Sequence, residues 1–426
     1  MNWGRQGLLG GAILAVGLGA VPALGSELFD ACAAAAASQY EPGYAETGRD
    51  SSAIDSVAAI EACTAALAEA PESAPLKAWL GRAHDAGGDS AQAVISLEPA
   101  AMAGNALAQT LFGDILIVGQ GAPQDMVRGA ELLKLAADAG FAPAEDSLGL
   151  SYDYGEGVAQ DYVEAARWYR KAAEQGLPRA MANLGSMYAE GLGLDRDVVA
   201  ASAWYSRAAD RGDSRAQFNL GLLYETGELG EPDFERAAAL YQASAEQNYM
   251  LAVNALGKLK QQGHGAPPDL EAAVALYQQA ADAGIAEAQF NLARLHEDGI
   301  GVTQDFALAR QYYRQAAQSE NAEAAANLGL LYLNGNGGAR DLDKALSFTE
   351  QAATQNSPVG LNTLGHLYEN GLGVEQNGDQ ALALYQQAAD LGYQPAEDNR
   401  RRLEAALQAP TGTPTVKAYP ASKIDN

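Results

Sequence analysis

Between residues 108 and 395 the chain repeats one order of apolar and polar positions with a step of 36. A Leu-Gly pair recurs at Leu148-Gly149, Leu184-Gly185, Leu220-Gly221, Leu256-Gly257, Leu328-Gly329 and Leu364-Gly365, with Phe112-Gly113 and Leu292-Ala293 as variants. Tyr152, Tyr188, Tyr224, Tyr332 and Tyr368 follow four residues after the Leu, a spacing that puts both side chains on one face of a helix. Each stretch predicts the first helix of a unit. Glycine then stands at Gly119, Gly155, Gly191, Gly227, Gly263, Gly299, Gly335 and Gly371, and a second glycine follows two residues later except at Leu229. Glycine enters the left-handed region without a Cβ penalty, so the first of each pair marks a helix end.

Six residues beyond that glycine come Asp125, Asp161, Asp197, Asp233, Asp269, Asp305 and Asp341, with Asn377 completing the column. Asp and Asn are strong N-caps because the side-chain oxygen accepts an otherwise unpaired amide hydrogen bond. Asp161 with Glu164 has the spacing of a capping box. The second helix carries a small residue at Gly129, Ala165, Ala201, Ala237, Ala273, Ala309, Ala345 and Ala381, and aromatics such as Trp168-Tyr169 and Tyr312-Tyr313, which fit an inter-helix core. It stops at Gly140, Gly176, Gly212, Gly284 or Gly392, or at Asn248 or Asn356; Glu320 breaks the column, with Asn321 beside it.

One helix pair cannot bury its apolar face alone, whereas stacked pairs can, so the pattern predicts an all-α fold, a right-handed α-solenoid of about eight units. Residues 74–107 resemble a tetratricopeptide helix pair, 396–409 repeat only a first helix and suit a polar cap, and the proline-containing segment 410–426 reads as a flexible tail. The run from Ala180 through Asn183-Leu184-Gly185, Tyr188, Gly191 and Gly193 to Asp197 resembles the Sel1-like repeat family, and the resemblance covers all eight units.

Residues 7–21 form an uncharged run too short and Gly-rich for a comfortable membrane span, and Ala23-Leu24-Gly25 supplies small residues for cleavage; residues 1–25 are expected to be a signal peptide, with Val21-Pro22-Ala23 as a competing site. An exported chain with two cysteines favours a Cys32–Cys63 disulfide within an N-terminal helical cap over residues 26–73, two buried thiols being the alternative. The expected location is periplasmic or secreted. Against 54 Asp+Glu stand 27 Lys+Arg, a net charge of -27 that disfavours nucleic acid and anionic membrane surfaces as partners.

No catalytic constellation is evident, and no cofactor or metal is expected: the four histidines lie in different units, none at metal-ligand spacing from another. Departures from the columns are more informative. The Tyr position becomes Lys260 and His296, and the position after Leu-Gly becomes Lys258 and Arg294, a concentration of positive charge in an acidic chain that is either a binding patch or solvated surface paired with Glu. Asn183, Asn219, Asn291 and Asn327 precede the Leu-Gly pair. In the tetratricopeptide relatives that the unit resembles, this place lines the concave groove and can hydrogen-bond an extended peptide; a buried Asn serving the next repeat is the alternative.

These features lead to the expectation of a non-enzymatic protein- or peptide-binding scaffold or regulator, using the concave face. The resemblance implies roles such as restraining a receptor sensor domain or organising envelope assembly. Cysteine-rich members of the family are associated with β-lactam binding or hydrolysis, an enzymatic alternative weakened by the absence of Ser-x-x-Lys and of a disulfide in every repeat. A purely structural envelope spacer is the third.

Overall fold

A computed structural model describes residues 27–408, so the expected signal peptide and tail lie outside the described residues. Among these residues are 21 α-helices and one short 3-10 turn, Ser51–Ala53, and no strand. The described helices fall into two compact units that divide after Arg211. Within each, every helix packs on the next in sequence, most extensively within a repeat. The fold is an all-α stack of helix pairs.

One repeat explains the others. Pro178 opens the helix Pro178–Glu190, where its missing N–H is no loss. Leu184 is buried, and a Cβ on Gly185 would meet the Tyr205 ring at 2.7 Å, so glycine there lets the helix Val198–Ala209 approach. Gly191 ends the first helix at φ 73°. Gly193, at φ 66°, does something different: its Cβ would run into the Tyr162 carbonyl at the start of the preceding repeat's second helix. The second glycine therefore joins repeats, while the first terminates a helix.

The Asp column caps the second helices. Asp197 accepts from the Ala200 N–H at 2.9 Å, and the column repeats this from Asp125 to Asn377. The cap residue's own N–H closes the turn, bonding the carbonyl nine residues back, as in Asp197 to Tyr188 and Asp305 to His296. Of the expected capping box only one half forms, the Glu164 N–H donating to the Asp161 side chain at 3.1 Å. Asp161 donates to the Tyr152 carbonyl at 2.9 Å, which leaves no donor for Glu164, and Glu164 binds Arg167 instead.

Small and large residues interlock in the core. Ala165, Ala201, Ala237, Ala273 and Ala309 are fully buried beside Tyr169, Tyr205, Tyr241, Tyr277 and Tyr313. At the stop between repeats Asn248 and Asn356 take φ 61° and 59°, and Glu320 itself takes φ 60°. Asn321 is not a substitute for glycine, because it caps the next helix by accepting from the Ala324 N–H. Glu320 therefore carries a strain of about 1–2 kcal/mol.

At the N-terminal end Cys32 is bonded to Cys63, with their Cα atoms 4.6 Å apart, joining the helices Glu27–Ala36 and Ser56–Glu69. The buried Arg82 donates to the Ala36 and Arg49 carbonyls at 3.0 and 2.6 Å, and Trp79 Nε1 donates to Glu41 at 2.9 Å. Chain ordering around the intervening loop thus has polar as well as covalent support. At the other end, Arg402 of the helix Gln394–Gln408 forks onto Glu369 at 2.6 and 2.7 Å.

The first-helix face as candidate functional site

The asparagine column is largely engaged between repeats. Asn183 Nδ2 donates to Asp146 at 2.9 Å and Asn291 Nδ2 to Asn254 at 3.3 Å, each partner lying 37 residues earlier. Asn399 does the same with the buried Asn362 at 2.9 Å. The place 37 residues before Asn219 is Ala182, which offers no side-chain acceptor, and Asn327 turns to the Tyr313 hydroxyl at 3.2 Å. Satisfying buried acceptors in this way favours stacking of neighbouring repeats.

Residues two apart stand about 200° apart around a helix. Lys258 and Lys260 therefore cannot share a face, nor can Arg294 and His296. His296, replacing a column Tyr, stacks on Tyr312 of the second helix at 5.9 Å, as Tyr332 stacks on Phe348. Lys260 occupies the same column. Lys258 pairs with Glu225 at 3.4 Å, and Arg294 lies 5.9 Å from the Phe290 ring centre. The four basic residues thus divide into two pairs rather than form one patch.

A column missed from sequence lies two residues before each helix-ending glycine. Glu225, Gln261, Glu297 and Glu369 there accept the buried hydroxyls of Tyr241, Tyr277, Tyr313 and Tyr385 at 2.7, 2.8, 2.7 and 2.8 Å. Burial, reinforced by Glu297, holds the Tyr313 hydroxyl well above the usual phenol range, so it serves as a donor. The recurrence of acids beside the glycine was the available signal.

In the second unit this face opens into a cavity of about 560 Å3 between the helices Ala286–Asp298 and Ala322–Asn334 and the start of Pro358–Asn370. Arg294 and Asn327 line it, with Phe290, Tyr313, Leu330 and Tyr393. It can hold a small group or a few side chains, with apolar walls and a guanidinium. No group of three or more metal-ligating side chains occurs among the described residues.

The first unit carries a different row. Asp146 is fully buried and held by Arg179 and Asn183, while Ser147 Oγ donates to Asp114 at 3.3 Å. Burial pushes the Asp114 carboxyl up to about 7, with Arg179 and Ser147 opposing and Asp146 and Asp85 reinforcing the rise. A carboxyl raised in the fold binds its proton more tightly than in the unfolded chain, so its stabilising contribution is full below about pH 4 and is lost as pH rises through 7. Asp114→Asn is expected to remove about 1–2 kcal/mol of that fall, less than the whole shift because the residue as a whole is only half-buried. Urea unfolding of both proteins at pH 5 and 7.5 measures it; identical pH dependence in the two refutes it.

Helix pairs closed by a glycine turn, capped by Asp and joined through a second glycine define a helical-repeat protein. The Sel1 repeat pattern matches eight successive segments, 106–141, 142–177, 178–213, 214–249, 251–285, 286–321, 322–357 and 358–393. The chain belongs to the Sel1 repeat family. It is similar to c5321, a protective antigen of uropathogenic Escherichia coli with an SLR fold, at 29% identity and TM-score 0.52 over 87% of this chain and 86% of that one. A Sel1 repeat protein of Oxalobacter formigenes matches at 30% identity and TM-score 0.53, over 73% of this chain and 90% of that one. No curated protein matches the chain.

Proposed function

We propose that this protein is a non-enzymatic scaffold or regulator of the bacterial periplasm that binds a protein or peptide partner through the face of its first helices. The cavity in the second unit carries the proposal. It leaves Phe290, Leu330 and Tyr393 beside Arg294 and Asn327 where a core would fill the space, and concave sites with few polar groups are the usual form of recognition surfaces. Asn219, Asn291, Lys258 and Arg294 extend along the first helices of the same unit, and Asn183 has its own place on the first unit. The apolar N-terminal run supports export, and so does the disulfide, a bond that persists in oxidising compartments. Among the described residues no helix is long and apolar enough to cross a membrane.

Crosslinking in intact cells, followed by mass spectrometry, is expected to recover one or two envelope proteins. Changing Lys258 and Arg294 together to Glu is expected to abolish that capture; both residues are half-buried, so circular dichroism checks alongside that helicity is retained. Undiminished capture would remove these residues from the interface. Turnover of a chromogenic β-lactam by the purified protein would contradict the non-enzymatic reading.

A further inference from the structure

We propose that the cavity of the second unit is a two-point site for a partner segment carrying a carboxylate and a neighbouring cationic side chain, the carboxylate taken by Arg294 and the cation by Glu323. This rests on the partner-binding reading and names the partner's chemistry.

The cation column of the first helices shows what Arg294 lacks. Lys258 pairs with Glu225 and Arg402 with Glu369, each 33 residues earlier. At the matching place for Arg294 stands Gln261, which is neutral and whose amide oxygen is taken by the Tyr277 hydroxyl at 2.8 Å. Arg294 forms no ion pair among the described residues. It is half-buried on the cavity wall, where a guanidinium gains a short, forked pair from a carboxylate.

Glu323 lines the same cavity on the next first helix. Its Oε1 accepts from Ser357 Oγ at 2.9 Å, but its Oε2 is buried with no partner. A desolvated carboxylate oxygen without a donor is costly, and an entering ammonium or guanidinium relieves that cost. Phe290, Leu330 and Tyr393 supply apolar wall beside both charges. The volume of about 560 Å3 lies within the range of roughly 300–1,000 Å3 typical of ligand sites. The chain's charge of -27 selects against a wholly acidic segment, so one that bears both signs fits best.

Phage-displayed hexapeptides selected on the full chain test this, with Arg294→Gln, Glu323→Gln and, as a control at an exposed cation of the first unit, Lys134→Gln as variants and circular dichroism to check their folding. The wild type and Lys134→Gln are expected to enrich peptides that pair Asp or Glu with Lys or Arg. Arg294→Gln should lose the acidic preference and bind a synthesised selected hexapeptide about tenfold or more weakly, whereas Glu323→Gln should lose the basic preference. The same enrichment on wild type and Arg294→Gln, or none on either, overturns the proposal. If cell crosslinking by Arg294→Gln still equals wild type in that case, the scaffold reading stands and only the cavity's role falls; no capture even by wild type sinks the scaffold reading. A wild-type dimer that becomes monomeric in Arg294→Gln, seen by analytical ultracentrifugation, assigns the cavity to a second copy and likewise overturns it.

Discussion

Gly193→Ala is expected to destabilise the first unit by about 3–5 kcal/mol, against about 1–2 kcal/mol for Gly176→Ala. Both glycines have positive φ, 66° and 98°, so both variants incur left-handed strain. They differ in what surrounds them. A Cβ on Gly176 meets nothing within 4 Å, whereas one on Gly193 collides with the Tyr162 carbonyl and the Val163 nitrogen. Those are backbone atoms at the start of a capped helix, and they cannot move aside as a flexible side chain would. Relief requires the two repeats to separate, and close-packed interiors resist such shifts. Urea unfolding followed by circular dichroism measures the difference. Equal losses would mean that the second glycine serves only its own backbone conformation and does not join repeats.

Cys32→Ser is expected to cost the N-terminal module about 3–4 kcal/mol under oxidising conditions. The bond closes a loop with a sequence separation of 31, and removing it restores that much freedom to the unfolded chain. Both sulfurs are fully buried, so an intact module shields them from reductant and alkylating reagents. The loop also depends on Arg82, whose guanidinium holds the Ala36 and Arg49 carbonyls, so the variant should loosen it locally rather than unfold every repeat. Limited proteolysis of residues 41–52 in variant and wild type reads the effect directly. Equal cleavage rates and equal unfolding midpoints would show that the polar contacts hold the module alone.

The helices, their glycine ends and their Asp caps were legible because each local rule is written eight times at one step. Asp197 and Asn377 announce caps by residue type and position, with no need for knowledge of the stack. Side-chain partners across repeats were not legible in the same way. Asn183 binds Asp146 and Asn291 binds Asn254 at an offset of 37, one more than the repeat, which only the packing of neighbouring helices determines. The basic residues illustrate the opposite error, that of reading closeness in sequence as closeness in space: Lys258 and Lys260 are near neighbours along the chain and lie on different sides of one helix. The capping box is only half formed because Asp161 spends its N–H on the Tyr152 carbonyl, a bond that closes the turn.

That turn-closing bond, from each cap residue to the carbonyl nine residues back, and, in every repeat but the one with Leu229, the glycine that meets the preceding helix start recur at an unchanged interval. Unequal crossing-over between copies within such a gene, gaining or losing a whole 36-residue segment, yields joints built from the same parts. A slip of a single codon inside the turn removes the register on which both depend. The architecture therefore makes the length of this protein easy to change in large steps and hard to change in small ones.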